Sequence, residues 1–121
     1  MIQVWYKSVR HAFSGLQYAF RHEKNFRIEC YIALLGVFLI IILPLDVWER
    51  VFLFAMIGWV LVAELANTII ERIVDILKPR LHPYARIIKD IMAATVLLSS
   101  LFALVIGGII LFPHIIDMFS K

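Results

Sequence analysis

One stretch constrains this chain more than any other: an apolar, membrane-length run that passes directly into a line of acids. VFLFAMIGWVLVA, Val51 to Ala63, continues through Glu64-Leu65-Ala66-Asn67-Thr68-Ile69-Ile70-Glu71-Arg72-Ile73-Val74-Asp75 without a turn signal. Carboxylates at the end of a membrane helix are expensive and demand a reason. A helix advances about 100° per residue. Glu64, Asn67, Glu71 and Asp75 stand at i, i+3, i+7 and i+11, so they share one face. A short loop, Lys78 to Pro83, is expected to turn the chain back, because proline removes a donor and restricts its predecessor. The next apolar run opens with Lys89-Asp90.

The remaining composition agrees with burial in lipid. Of 121 residues, 63% are hydrophobic, and mean hydropathy is +0.91. A soluble domain of this length carries more charge and shorter apolar runs. Residues 1–121 therefore read as a single membrane-embedded domain. It is too short to wrap a complete site around two substrates, so an oligomer is expected. Net charge is +3, but the bases flank membrane spans, which excludes reading them as a nucleic-acid surface. Cys30 is alone and forms no intrachain disulfide. Met1 to Phe20 has neither the unbroken apolar core nor the small-residue cleavage site of a signal peptide. No glycine-rich phosphate loop is present.

In chain order, residues 2–22 read as an amphipathic helix. Ile2, Trp5, Val9, Phe13, Leu16 and Phe20 repeat at helical spacing, with Lys7, Arg10, Gln17 and Arg21 opposite. Aromatics facing one way and bases the other suit a helix lying in the membrane interface. His22 to Glu29 reads as a polar hinge. A first span is expected over about 28–45, with Glu23 outside the membrane and Glu29 slightly inside. Pro44 to Arg50 makes a tight turn anchored by Trp48. The second span, about 47–77, includes a cytoplasmic extension. A core of ~30 Å is crossed after about 20 residues, near Asn67. Glu64 thus lies just below the boundary and Glu71 above it. The third span, about 85–112, is expected to stop at Pro113, leaving Asp117 to Lys121 as a tail. Lys7, Arg10, Arg21, Lys24, Arg27, Arg72, Lys78, Arg80, Arg86 and Lys89 lie on one side and Arg50 on the other. That bias puts the N-terminus and the 72–89 segment in the cytoplasm.

Acids at headgroup depth on the side that holds ATP suit phosphoryl transfer, which needs little covalent chemistry from a protein. It needs cations bridging the phosphates, a base on the attacking hydroxyl and positive charge on the moving group. Mg²⁺ takes one or two carboxylates plus phosphate oxygens. Glu23, Glu71 and Asp75 lie on the right side to supply them, and Lys89 to meet a phosphate. Glu64 has the depth of a general base on a lipid hydroxyl. The same acids also suit a plainer role, pairing with Arg27, Arg72 or Lys89 to lock helices together. Two other classes remain open: a non-enzymatic pore or scaffold, and a metal-dependent lipid phosphatase. A pore expects acids at mid-span; here they gather at one interface. His11, His22 and His114 read as interfacial polar residues, the tryptophans as anchors or packing, and Ser99-Ser100 as a helix-packing pair.

The E-x-x-N-x-x-x-E pattern from Glu64 to Glu71, then Asp75, His82-Pro83 and Lys89-Asp90, resembles the bacterial integral-membrane diacylglycerol kinase/undecaprenol kinase family. Gly15-Leu16 and Glu23 followed by Phe26-Arg27 fit its N-terminal half, so the resemblance covers nearly the whole chain. It implies an all-α membrane protein: an N-terminal amphipathic surface helix plus three transmembrane helices, assembled as a homotrimer with sites shared between subunits. It implies ATP as phosphoryl donor, Mg²⁺ as cofactor and a lipid alcohol as acceptor in a bacterial cell membrane. Carried over by position, Glu64 would be the catalytic base, and Glu23 and Glu71 would hold the metal. Asn67, Lys89 and Asp90 would contact or brace the nucleotide phosphates, with Asp75 and His82 near the nucleoside. Gly15, Phe26, Arg27 and Glu29 would line the lipid and nucleotide entry. Relatives can carry an acid-Tyr pair before the loop histidine, where this chain has Arg80-Leu81. They often place glycine or a small polar residue after the Lys-Asp pair, where this chain has Met92-Ala93-Ala94. HEKNFRIE, Pro83 and the missing acid before His82 look more like the undecaprenol-type members.

Overall fold

A computed structural model describes residues 1–121, the side chain of Leu81 excepted. It is helical almost throughout, with no strand among the described residues. Helix α1 runs Ile2–His22 and α2 runs Lys24–Ile42. The helical stretch Val47–Ser120 contains two segments long and apolar enough to cross a membrane, Val47–Arg80 (α3) and His82–Ser120 (α4). They are antiparallel, because Trp59 meets Ser99, Glu49 meets His114 and Asp75 meets Lys89. With α2, three helices have the length and composition of membrane spans.

Each break in the helices has a local cause. α1 presents its basic Arg21 and His22 to its own C-terminal end, where the helix dipole favours positive charge. It ends at Glu23, whose extended backbone (φ −113°, ψ 107°) is the whole of the junction with α2. The Glu23 N–H still donates to the Ala19 carbonyl, and its own carbonyl accepts from the Arg27 N–H. The expected hinge from His22 to Glu29 is thus a one-residue break. The polar residues after Glu23 form the first turns of α2, so the helix that carries the first span starts earlier than 28, and it ends at Ile42. Asp46 opens α3 with a capping box: its carboxylate accepts from the Glu49 N–H at 2.8 Å, and Glu49 Oε1 accepts from the Asp46 N–H at 3.2 Å.

Two proline expectations need correction. The loop from Lys78 to Pro83 is not a loop, since Pro79 and Pro83 both lie inside the helical stretch Val47–Ser120. Pro83 falls in the opening turn of α4, where its missing N–H would have had no helical partner. Pro113 does not end α4, which continues to Ser120. Proline already holds a helical φ, so the loss there is one hydrogen bond to the carbonyl four residues back. Beyond it, His114 Nε2 lies 3.0 Å from Glu49 Oε2 and ties the last turns to the start of α3.

The core is small and sits at the Asp46 end. Ile40, Leu43, Leu45 and Leu53 are buried, with Leu39, Ile57, Ile110 and Leu111 against them. Most other large apolar residues of α2, α3 and α4 are exposed. Such a surface is stable in hydrocarbon rather than water. Trp59 Nε1 donates to Ser99 Oγ at 3.1 Å, joining α3 to α4 along the spans.

Candidate active site

The acidic face of α3 turns inward at its lower end and outward at its upper end. Glu64 is 4% exposed and Asn67 8%, among the few buried polar residues of the chain. Glu71, two turns above Glu64, is half-buried, and Asp75 is exposed. A helix crossing from Val47 uses about 20 residues for the hydrocarbon, so Arg72, Asp75 and, opposite it, Lys89 stand beyond the membrane core. The Thr68 hydroxyl donates to the Glu64 carbonyl at 3.0 Å.

Helix α2 supplies the facing wall. Phe26 is buried at 4% exposure, and Arg27 and Glu29 are partly buried. The carboxylates of Glu29, Glu71 and Glu23 all lie close enough to Glu64 for their charges to act on it. Three buried atoms in this region lack a protein partner: Arg27 Nε, Glu29 Oε2 and Asn67 Oδ1. Buried polar atoms are ordinarily satisfied, so one donor and two acceptors stand ready for something else. From Glu29 an apolar groove of about 570 Å³ runs between α2, α3 and α4, past Gly36, Ile57, Ala103 and Gly107 to Ile115.

Two ion pairs close the upper end. Arg72 Nη2 donates to Glu23 Oε1 at 2.6 Å, joining α3 to the α1–α2 junction. Lys89 Nζ donates to Asp75 Oδ1 at 2.6 Å, joining α4 to α3. The hydrogen bond from Lys89 holds the Asp75 carboxyl below its ordinary range, and the same bond raises the Lys89 ammonium. The bond to Glu23 likewise raises the Arg72 guanidinium. Glu71 is near enough for its charge to act on Lys89.

The structure therefore brings together Glu23, Glu29, Glu64, Glu71, Asp75 and Lys89, with Asn67 buried on the same face of α3, and Phe26 buried and Arg27 partly buried on α2. The other three make no hydrogen bond or ion pair to this group among the described residues. Gly15 faces open space, with nothing within 4 Å of where a Cβ would stand. His82 and Asp90 are exposed on α4. The Glu23–Arg72 contact joins residues 49 apart, a distance over which no sequence periodicity could pair them. The Glu49–His114 pair was hidden for the same reason, behind a histidine that reads as merely interfacial.

A family model for prokaryotic diacylglycerol kinase matches residues 10–111. The chain belongs to this family. Among its relatives, a diacylglycerol kinase of Synechocystis is 32% identical over 112 residues, which cover 92% of this chain and 64% of that protein. This chain thus spans slightly under two thirds of the Synechocystis relative. An undecaprenol kinase of Bacillus subtilis is 31% identical over 111 residues, covering 92% of this chain and 90% of the relative. A diacylglycerol kinase of Escherichia coli K12 is 31% identical over 108 residues, covering 89% and 88%. Membership in the diacylglycerol kinase family places the chain among membrane lipid kinases and does not favour a pore or scaffold. Identity is nearly the same to relatives named for either lipid alcohol.

Proposed function

We propose that this lipid kinase moves the γ-phosphoryl group of ATP onto a membrane lipid alcohol at the cytoplasmic interface, with Mg²⁺ and as a homotrimer. One observation carries the reading: a buried carboxylate, Glu64, shares one face of α3 with the half-buried Glu71, and the paired bases Arg72 and Lys89 stand beyond them.

Each residue then has a task. Glu64 accepts the proton of the lipid hydroxyl as that oxygen attacks phosphorus. The apolar groove below Glu29 suits the hydrocarbon of the acceptor. Glu29 Oε2 and Asn67 Oδ1, both without partners, accept hydrogen bonds from the alcohol or a bound water. Arg27 Nε offers the matching donor. Lys89, with Asp90 beside it, meets the phosphates as a point charge, and Asp75 and His82 flank the nucleoside end. Gly15 and Phe26 belong to the lipid entry.

Glu23 and Glu71 are the proposed metal ligands. Among the described residues, no three acidic, His or Cys side chains meet closely enough to hold a metal unaided. That fits Mg²⁺, which takes one or two carboxylates and completes its shell with water and phosphate. Hard oxygen donors are what this face provides, and like charges crowd Glu64. Glu23 and Glu71 would hold the ion, and the chemistry it would supply there is positive charge against the phosphates during transfer. The Lys and Arg bias puts this end of the molecule in the cytoplasm of a bacterial cell.

Purified protein in mixed micelles, given labelled ATP and either a polyprenol or a diacylglycerol, tests the reading. Label should enter the lipid with Mg²⁺ and not with excess EDTA. The HEKNFRIE stretch and Pro83 lead us to expect the polyprenol as the better acceptor. Label in neither lipid would overturn the kinase reading, and equal or greater label in diacylglycerol the lipid preference.

A further inference from the structure

Arg72 has no part in the mechanism above, yet it stands at the mouth of the site. Its Nη2 reaches Glu23 Oε1 at 2.6 Å, and 55% of its side chain is exposed. A guanidinium carries five N–H donors in a planar fork, and this contact uses one. Tyr18 of α1 and Asp75 of α3 lie close enough for their charges to act on it. Glu71 precedes it in sequence. Lys89 is in the same condition, spent on Asp75. Around the upper site, the acids Glu23, Glu29, Glu64, Glu71 and Asp75 outnumber the bases Arg27, Arg72, Lys78 and Lys89 by one. A triphosphate entering this field meets an excess of negative charge while Arg72 and Lys89 are already paired.

We propose that Arg72 is a phosphate contact held in reserve, masked by Glu23 until that carboxylate turns to the metal ion and the guanidinium turns to the triphosphate. This rests on the reading of Glu23 as a metal ligand given above. The exchange is chemically cheap. Exposed ion pairs are weak, so their partners swap at little cost. Glu23 is the single extended residue between α1 and α2, so its side chain belongs to neither helix's row, and 21% of it is exposed. The guanidinium fork matches two phosphate oxygens better than it matches the single oxygen it now holds. Masking also explains how a site rich in acids avoids holding a bare triphosphate: the donor is released only when a cation arrives with it.

The test reads binding in EDTA, so it is independent of turnover. Full-length protein in lipid nanodiscs is titrated with labelled, metal-free ATP. Glu23→Gln keeps the shape and removes the masking charge, so affinity should rise about threefold or more over wild type. Adding Arg72→Met should abolish that gain, and Arg72→Lys in the same background should keep part of it. Arg72→Met alone should weaken binding of a nonhydrolysable ATP analogue with Mg²⁺ by about threefold or more. No tightening in Glu23→Gln protein of wild-type helix content overturns the proposal. So does a gain that persists in Glu23→Gln/Arg72→Met, because that gain comes merely from deleting a negative charge. Failure of the metal-ligand reading looks different: Glu23→Gln would then keep full Mg²⁺-dependent phosphorylation.

Discussion

Glu64 is a carboxylate in a place that tolerates few of them, 4% exposed on a helix still within the membrane's depth. A positioned base contributes about 10² to 10⁴ in rate. Glu64→Gln should therefore lower phosphate transfer to lipid at least about 100-fold, while Mg²⁺-nucleotide binding stays near wild type. Retained turnover, read as labelled lipid, would take the proton from another group. The Asp75–Lys89 pair makes a pH prediction at the same scale. Lys89 depresses the Asp75 carboxyl below its ordinary 3.8, so the pair's contribution is present above 3.8 and is lost as pH falls through the lower folded value. The Lys89 ammonium is raised above its ordinary 10.5, so its contribution is complete below 10.5 and is lost as pH rises through the folded value. The pair should stay charged across the whole neutral range. Carbon-13 NMR of the Asp75 carboxyl should show no titration between about pH 5 and 9. Helical spacing made much of this legible: Glu64, Asn67, Glu71 and Asp75 do share a face, and they pass from buried to exposed along it. The partners of Glu23 and Lys89 were only candidates, because several bases stood within reach of several acids.

At the scale of elements, the packing of α2 on α3 turns on Gly36. A Cβ there would come within 2.8 Å of Ile57 Cδ1 and 3.6 Å of its Cγ1. Cδ1 is the far end of a side chain that can rotate. Alanine gains about 1 kcal/mol of helix propensity over glycine, against about 0.5–1.5 for an off-rotamer shift. Gly36→Ala should thus leave the thermal midpoint in detergent nearly unchanged. Gly36→Leu, with no room to turn, should lower it clearly and spread α2 from α3. The capping box at Asp46 went unread in the sequence, where Pro44 to Arg50 read only as a tight turn, although Asp46 and Glu49 stand three apart. Pro113 misled because a proline breaks a helix only when nothing beyond it holds the chain in place. Here the Glu49–His114 contact does, and contacts between distant residues leave no local signature.

Across the whole molecule, exposed apolar surface dominates α2, α3 and α4. Lipid covers such a surface, and so does a second subunit. In the proposed trimer sites are shared, and the alternative to the grouping within one chain described above is that Glu64 of one subunit serves nucleotide held by Glu71 and Lys89 of its neighbour. Co-reconstituting Glu64→Gln with Glu71→Gln chains, each inactive alone, should then restore about a quarter of wild-type activity on random mixing. Mixtures that stay inactive would place both carboxylates of each working site in one chain.

The sequence by itself determined the membrane class, the surface helix, the three spans and the acidic face of α3. Those follow from apolar run length and from a period of 3.6 residues, both local properties of a chain. Only the tertiary structure decided that Arg72 rather than another base takes Glu23, and that Asp75 takes Lys89. It also decided that Arg27, Glu29 and Asn67 keep polar atoms without partners. Charge pairing depends on which helix faces meet and how far a side chain reaches, and the antiparallel packing of α3 and α4 sets that geometry.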